Sequence, residues 1–254
     1  LTPANPVLYQ DRLPEDVRPE MRARGVERAI LVQATGTPEE IPWMLELCNE
    51  HPFLAGVVGH VDLANRNAGS MLSGFARDSR FKGVRLNLPF APKVRATIDV
   101  NLAHLGRLGL SCDLLMGSIH MPLAIDIVRS HPQTVFILDH FGGHRLKIGG
   151  EEEFGAALQP LAGMQNVAVK VSGYLTSNDD VPRNTLWQTL GQYIQSAINV
   201  LGEDRLMFGS DWPICTQAGE YRDTVDLARQ AGASLSTRQI NQLMGGTACR
   251  VYRL

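Results

Sequence analysis

Asp211 stands in the run R-L-M-F-G-S-D-W-P, Arg205 to Pro213, where three apolar residues give way to a glycine, a serine and then a carboxylate. A carboxylate at the end of an apolar strand can deprotonate water and later return the proton to a departing alkoxide. His140, in L-D-H-F-G from Leu138, can donate to a carbonyl oxygen as it turns into an oxyanion. Arg85 offers a planar fork suited to a carboxylate or a hydroxyl, and His120 and Lys170 are further candidates for holding a substrate. Gly142 and Gly143 let the backbone turn sharply beside the imidazole. These groups together can hydrolyse an ester-type bond without a covalent nucleophile. No G-x-S-x-G elbow occurs, and Ser210 precedes its aspartate without that spacing.

Such residues are far apart along the chain, so the fold must gather them. Seven short segments rich in Val, Ile and Leu recur at steady intervals: Ala29–Ala34, Ala55–Asp62, Lys82–Leu88, Leu110–Met116, Val135–His140, Val167–Ser172 and Leu206–Asp211. Helical patterns separate them, as in Ile41, Met44, Leu45 and Cys48. Thr37-Pro38-Glu39-Glu40 and Ser236-Thr237-Arg238-Gln239 read as capping boxes that open helices. Strands apolar on both faces and alternating with helices predict a parallel sheet. Neither G-x-G-x-x-G nor G-x-x-x-x-G-K-[ST] is present, which argues against a nucleotide-binding open sheet. The reading is an α/β fold, a (β/α)8 TIM barrel filling residues 1–254 as one domain. Its first strand is expected upstream of Leu1, because seven strands are counted and no initiator methionine is present. In such a barrel all strand ends meet at one mouth. Gln33, His60, Asp62, Arg85, Asn87, Asp113, Asp139, His140, Lys170, Ser172, Ser210 and Asp211 would face it.

Composition narrows the partners. The formal charge is −2, with no run of Lys or Arg, so the footprint of a nucleic-acid or anionic-membrane binder is missing. No apolar stretch approaches the roughly 20 residues needed to span a bilayer. A small-molecule substrate is expected, and the oligomeric state is left open. Cys48, Cys112, Cys215 and Cys249 form no C-x-x-C, and read as free thiols in a reducing cytoplasm. His51, His104 and His131 fall in helical or helix-end stretches and read as surface residues.

The runs L-V-Q-A, G-V-V-G-H-V-D-L, G-V-R, D-L-L, L-D-H-F-G, K-V-S-G and F-G-S-D-W-P, in this order over nearly the whole chain, resemble the amidohydrolase superfamily. More narrowly, they resemble its amidohydrolase 2 branch of TIM-barrel hydrolases, which includes 2-pyrone-4,6-dicarboxylate lactonase and sugar-acid lactonases. The resemblance implies that Asp211, ending the eighth strand, is the general base and that His140, ending the sixth, is an active-site residue. It implies opening of a lactone or related cyclic ester of a sugar acid or aromatic-degradation intermediate. It also implies an H-x-H at the end of the first strand, and this sequence contains none.

Zinc takes three or four ligands, and His140 with Asp211 supply two. An upstream H-x-H would raise the count to four, whereas Met116-Gly117 offers no histidine where many metal-dependent relatives keep one. Zn2+ is therefore left open. Two other readings stand beside the lactonase: a metal-dependent non-oxidative decarboxylase of the same superfamily, and a degenerate barrel that only binds a small ligand. Bland roles remain for single residues too. Asp211 could cap a following helix, and Arg85 could pair with Asp113 inside the barrel.

Overall fold

The computed structural model describes residues 5–254. Seven strands form where the apolar runs lie: β1 Ala29–Val32, β2 Leu54–Gly59, β3 Phe81–Asn87, β4 Ser111–Leu115, β5 Val135–Leu138, β6 Val167–Val171 and β7 Leu206–Phe208. All are parallel, and each pairs with its sequence neighbour in the order β1 to β7. The helices are α1 Pro14–Ala23, α2 Glu40–Glu50, α3 Ala68–Phe75, α4 Arg95–Leu108, α5 Met121–Ser130, α6 Glu151–Leu158, α7 Leu186–Leu201, α8 Tyr221–Ala231, α9 Thr237–Asn241 and α10 Thr247–Tyr252. A parallel sheet in strict sequence order with a helical connection at each step curls into the TIM-barrel arrangement. The seven strands expected are the seven found. Among the described residues no strand joins β7 to β1. Val17 and Met21 of α1 pack beside both of those edges, against Ala29 and Phe208.

The paired strands are shorter than the apolar runs at their C-terminal ends, and the difference is informative. Gln33, His60, Asp139, His140, Ser172 and Asp211 all lie just past their ladders, where the chain turns away from its neighbour and a polar side chain can face the mouth. Below them, alternate residues fill the barrel. Val58, Ile137, Ala168 and Met207 are almost wholly buried and meet Tyr252 of α10 there. The opposite faces of the strands form the larger core with the helices, in which Ile41, Met44 and Cys48 of α2 are buried as their spacing predicts.

Local signals fared differently. Ser236 Oγ accepts from Gln239 N at 3.2 Å and Gln239 Oε1 accepts from Ser236 N at 2.9 Å, so that capping box forms. The one expected at Thr37 does not: α2 starts at Glu40, whose carboxylate instead accepts from the backbone N–H groups of Ala34 and Thr35, at 3.0 to 3.2 Å. Those two N–H groups follow β1 and have lost their ladder partners, so a carboxylate there satisfies more donors than a helix cap would. Cys48, Cys112 and Cys215 are buried and Cys249 half-buried, all as free thiols. His51, His104 and His131 are half-buried rather than on the open surface. Each is tied to a side chain of another helix, Glu15, Ser73 and Asp99 respectively, at 3.4, 2.8 and 2.9 Å. Among the described residues no helix is long and apolar enough to cross a membrane.

Candidate active site

His140 and Asp211 meet at the C-terminal end of the sheet. His140 Nε2 lies 3.9 Å from Asp211 Oδ1, and both side chains are partly open to solvent, at 26% and 18% exposure. The backbone at both is unusual. His140, Phe141 and Asp211 have φ of 50°, 55° and 56°, a left-handed region that costs side-chain-bearing residues about 1–3 kcal/mol each and that clusters at functional sites. Asp211 caps no helix: the next helical turn, Ile214–Gln217, has Pro213 at its cap position, and among the described residues no N–H donates to the Asp211 carboxylate. Trp212, next in the chain, packs into the apolar cluster of α1 and α8.

Burial raises the Asp211 pKa above the usual carboxylate range. The nearby His140 and Arg85 oppose that rise and Asp139 reinforces it. A carboxylate with an elevated proton affinity is a better base than one in water while it remains ionised.

The side chain of His140 is held from the strand beside it. Ser172 Oγ, just past β6, lies 2.8 Å from His140 Nδ1. The turn after His140 packs against the one that follows β4. A Cβ on Gly143, which has φ of 78°, would collide with the Met116 carbonyl and fall 2.8 Å from Gly117 Cα. Gly143→Ala is therefore expected to lower stability by about 1–3 kcal/mol through strain and displacement of this turn. A denaturant midpoint equal to the wild type's would contradict it.

Below the pair lies a buried charge network. Lys170 Nζ donates to Asp113 Oδ2 at 2.7 Å and to Asp139 Oδ1 at 2.6 Å, with the lysine side chain 11% exposed and the two carboxylates 0% and 2%. Tyr252 Oη donates to the same Asp113 oxygen at 2.9 Å. Burial alone would lower the Lys170 pKa, but Asp113 and Asp139 outweigh it and hold the ammonium's pKa well above its ordinary value. Burial raises the Asp113 pKa despite Lys170. Arg85 does not pair with Asp113. Its Nη2 donates to the Gln33 carbonyl at 2.7 Å, and its Nη1 stands 3.9 Å from Asp139 Oδ2.

Of the residues singled out from sequence, the structure thus brings together His140, Asp211, Arg85 and Lys170. His120 closes the turn Ser118–His120 after β4 and has no hydrogen bond to these groups among the described residues. Tyr252 was not legible, since nothing in a terminal helical aromatic announces that it enters the barrel. Ser172 was visible as a strand end, but its partner was not. A separate cleft of about 200 Å³ lies at the opposite end of the sheet, between Ser111, Val135 and Val167 and the C-terminal end of α10 with Arg250, Val251 and Arg253. None of the residues above lines it.

A family model described as amidohydrolase matches residues 1–254. The chain belongs to the amidohydrolase family. An L-fucono-1,5-lactonase from Burkholderia multivorans is 31% identical, over 98% of this chain and 88% of that protein. The crystal structure of an amidohydrolase from Burkholderia multivorans with bound zinc superposes with a TM-score of 0.90 at 30% identity, over 100% of this chain and 92% of that one. A 2-pyrone-4,6-dicarboxylic acid hydrolase from Pseudomonas putida, named as such on a provisional basis, superposes with a TM-score of 0.80 at 25% identity, over 96% of this chain and 88% of that one. For this amidohydrolase the zinc question turns on the donors present. Among the described residues no three His, Cys, Asp or Glu side chains are grouped to hold a metal ion. His140 and Asp211 remain two donors where zinc takes three or four, so the described residues do not by themselves fit that ion.

Proposed function

We propose that this amidohydrolase opens the lactone ring of a sugar acid, with Asp211 as general base and His140 as the carbonyl-polarising donor. The approach of His140 Nε2 to Asp211 Oδ1, 3.9 Å apart at the barrel mouth, carries the proposal. The spacing is too long for a hydrogen bond, which leaves both groups available to a third partner. Asp211 takes a proton from water, and the oxygen attacks the lactone carbonyl. His140 donates to the carbonyl oxygen as it becomes negative. When the tetrahedral intermediate collapses, the ring C–O bond breaks and Asp211 returns its proton to the departing alkoxide. Arg85, whose guanidinium is only partly used by the Gln33 carbonyl, orients hydroxyl oxygens of the substrate. His120 contributes from the β4 turn on substrate entry.

Charge selects among lactones. Among the described residues the Lys and Arg side chains beside Asp113, Asp139 and Asp211 are Lys170 and Arg85, and the lysine is occupied by two of the carboxylates. A neutral polyhydroxylated lactone suits this balance better than a dicarboxylate, whose two charges would share the one partly free cation, Arg85. The L-fucono-1,5-lactonase relative supports the same choice. Unpaired cysteines, three of them buried, support a reducing compartment such as the cytoplasm.

The test is proton release from a panel of sugar 1,5- and 1,4-lactones with 2-pyrone-4,6-dicarboxylate alongside. Turnover of the sugar lactones is expected. Inertness toward the whole panel, or release of CO2 from aromatic carboxylates instead, would overturn the reading. A pH profile follows from the same assignment. The base must be ionised to act, and burial raises its pKa, so activity is lost as pH falls through a value above the ordinary aspartate pKa of about 3.9. An acid limb of kcat/KM at or below that value would count against Asp211.

A further inference from the structure

We propose that Ser172 is a positioning residue that sets the tautomer of His140, so that the imidazole presents Nε2–H to the mouth. The proposal rests on the lactonase reading for the use made of that proton, whereas the tautomer is a property of the free protein. Ser172 is 2% exposed, and among the described residues its hydroxyl has no partner but His140 Nδ1, at 2.8 Å. The tautomer follows from which of the two groups donates in this bond. A backbone carbonyl at Nδ1 accepts only and would force the proton onto Nδ1, leaving Nε2 as a bare lone pair. A hydroxyl can donate or accept, but among the described residues Ser172 Oγ has no other acceptor for its proton, and the Asp211 carboxylate on the far side of the ring favours a proton on Nε2. With Ser172 O–H donating to Nδ1, the single proton of the neutral ring sits on Nε2, the nitrogen that faces Asp211.

The surrounding backbone is shaped for this bond. The positive φ of His140 turns its ring back onto β6. Gly173, with φ of 74°, leaves the space the ring needs, because a Cβ there would stand 2.9 Å from Nδ1. Lys170, in β6, and Ser172, the residue just past its end, are two positions apart and so face the same side. The first holds Asp139 and the second holds His140, so consecutive residues of the turn after β5 are gripped by alternate residues at the end of β6. K-V-S-G thereby acquires a role for three of its four positions: two grips and a clearance.

The test is the ¹⁵N and ¹H correlation spectrum of the His140 ring in the full chain without substrate, with Ser172→Ala and Ser172→Thr beside the wild type. Expected are a single Nε2–H tautomer in the wild type and in the threonine variant, and a mixture in the alanine variant. With a lactone substrate, kcat of Ser172→Ala should fall about tenfold, the scale of one hydrogen bond's net contribution, while KM changes less than twofold. Threonine should restore kcat. An Nδ1–H tautomer in the wild type, as an Nε2-bound metal would also produce, overturns the proposal. So does an alanine variant with the wild type's tautomer. Were Ser172→Ala not to fold, the wild-type spectrum alone decides. Inactivity of the wild type on every lactone would end the lactonase reading but leave the tautomer measurable.

Discussion

Asp211→Asn is expected to reduce kcat on a lactone substrate by about 10²–10⁴-fold, the range a positioned general base supplies, with KM changed little. The amide is nearly isosteric with the carboxylate but cannot take the proton from water, and it cannot carry that proton to the ring oxygen afterwards. Folding should survive. Among the described residues the Asp211 carboxylate accepts no backbone hydrogen bond and caps no helix, and the His140 ring nitrogen nearest it is 3.9 Å away. Removing a buried carboxylate whose pKa is raised by desolvation also removes a cost of folding. The variant should therefore melt at or above the wild-type temperature while losing its rate. Unchanged kcat would mean that another group activates water. A large fall in melting temperature together with lost activity would mean that Asp211 serves the fold rather than the chemistry.

How much of this was legible in the sequence depends on the distance over which each signal acts. The seven strands were legible because a buried parallel strand must be apolar on both faces, and that need is written into each segment separately. His140 and Asp211 were legible for a related reason: a polar residue directly after such a segment has one place to go in a barrel. Pairings within the barrel were not. Arg85 sits opposite Asp113 in the β3 and β4 register, which makes that ion pair the natural expectation. Yet Lys170 reaches Asp113 from two strands away, and Tyr252 arrives from 139 residues along the chain. With that carboxylate taken, Arg85 turns to Gln33 and toward Asp139. Such choices depend on side-chain reach across the interior of the curled sheet, which no local pattern encodes. The failed capping box at Thr37 shows the same limit at short range: Glu40 found unpaired N–H groups at the end of β1 that only the folded turn creates.

Lys170→Met is expected to destabilise the protein by about 3–5 kcal/mol, the cost of breaking a buried ion pair from one side. Methionine fills similar volume, but Asp113 and Asp139 would remain at 0% and 2% exposure with the ammonium gone. At roughly 2–4 °C per kcal/mol for a chain of this size, the melting temperature should fall by on the order of 10 °C. The pH dependence gives the sign. Asp113 already has a raised pKa through burial, and losing Lys170 removes the strongest opposing charge, so the folded state would bind its proton more tightly than the unfolded chain does. Stability of the variant must then fall as pH rises through the interval between the unfolded and folded pKa values, and recover as pH falls through it. Thermal melts of wild type and variant from acid to neutral pH would show the gap between them closing toward acid. Adding Asp113→Asn and Asp139→Asn to Lys170→Met should recover much of the loss, since a neutral network costs less to bury than an unpaired charged one. A substrate-contacting lysine predicts the opposite pattern, a raised KM with the melting temperature unmoved. A melting temperature within about 2 °C of the wild type's at neutral pH would therefore return Lys170 to the substrate and dissolve the network as a structural unit.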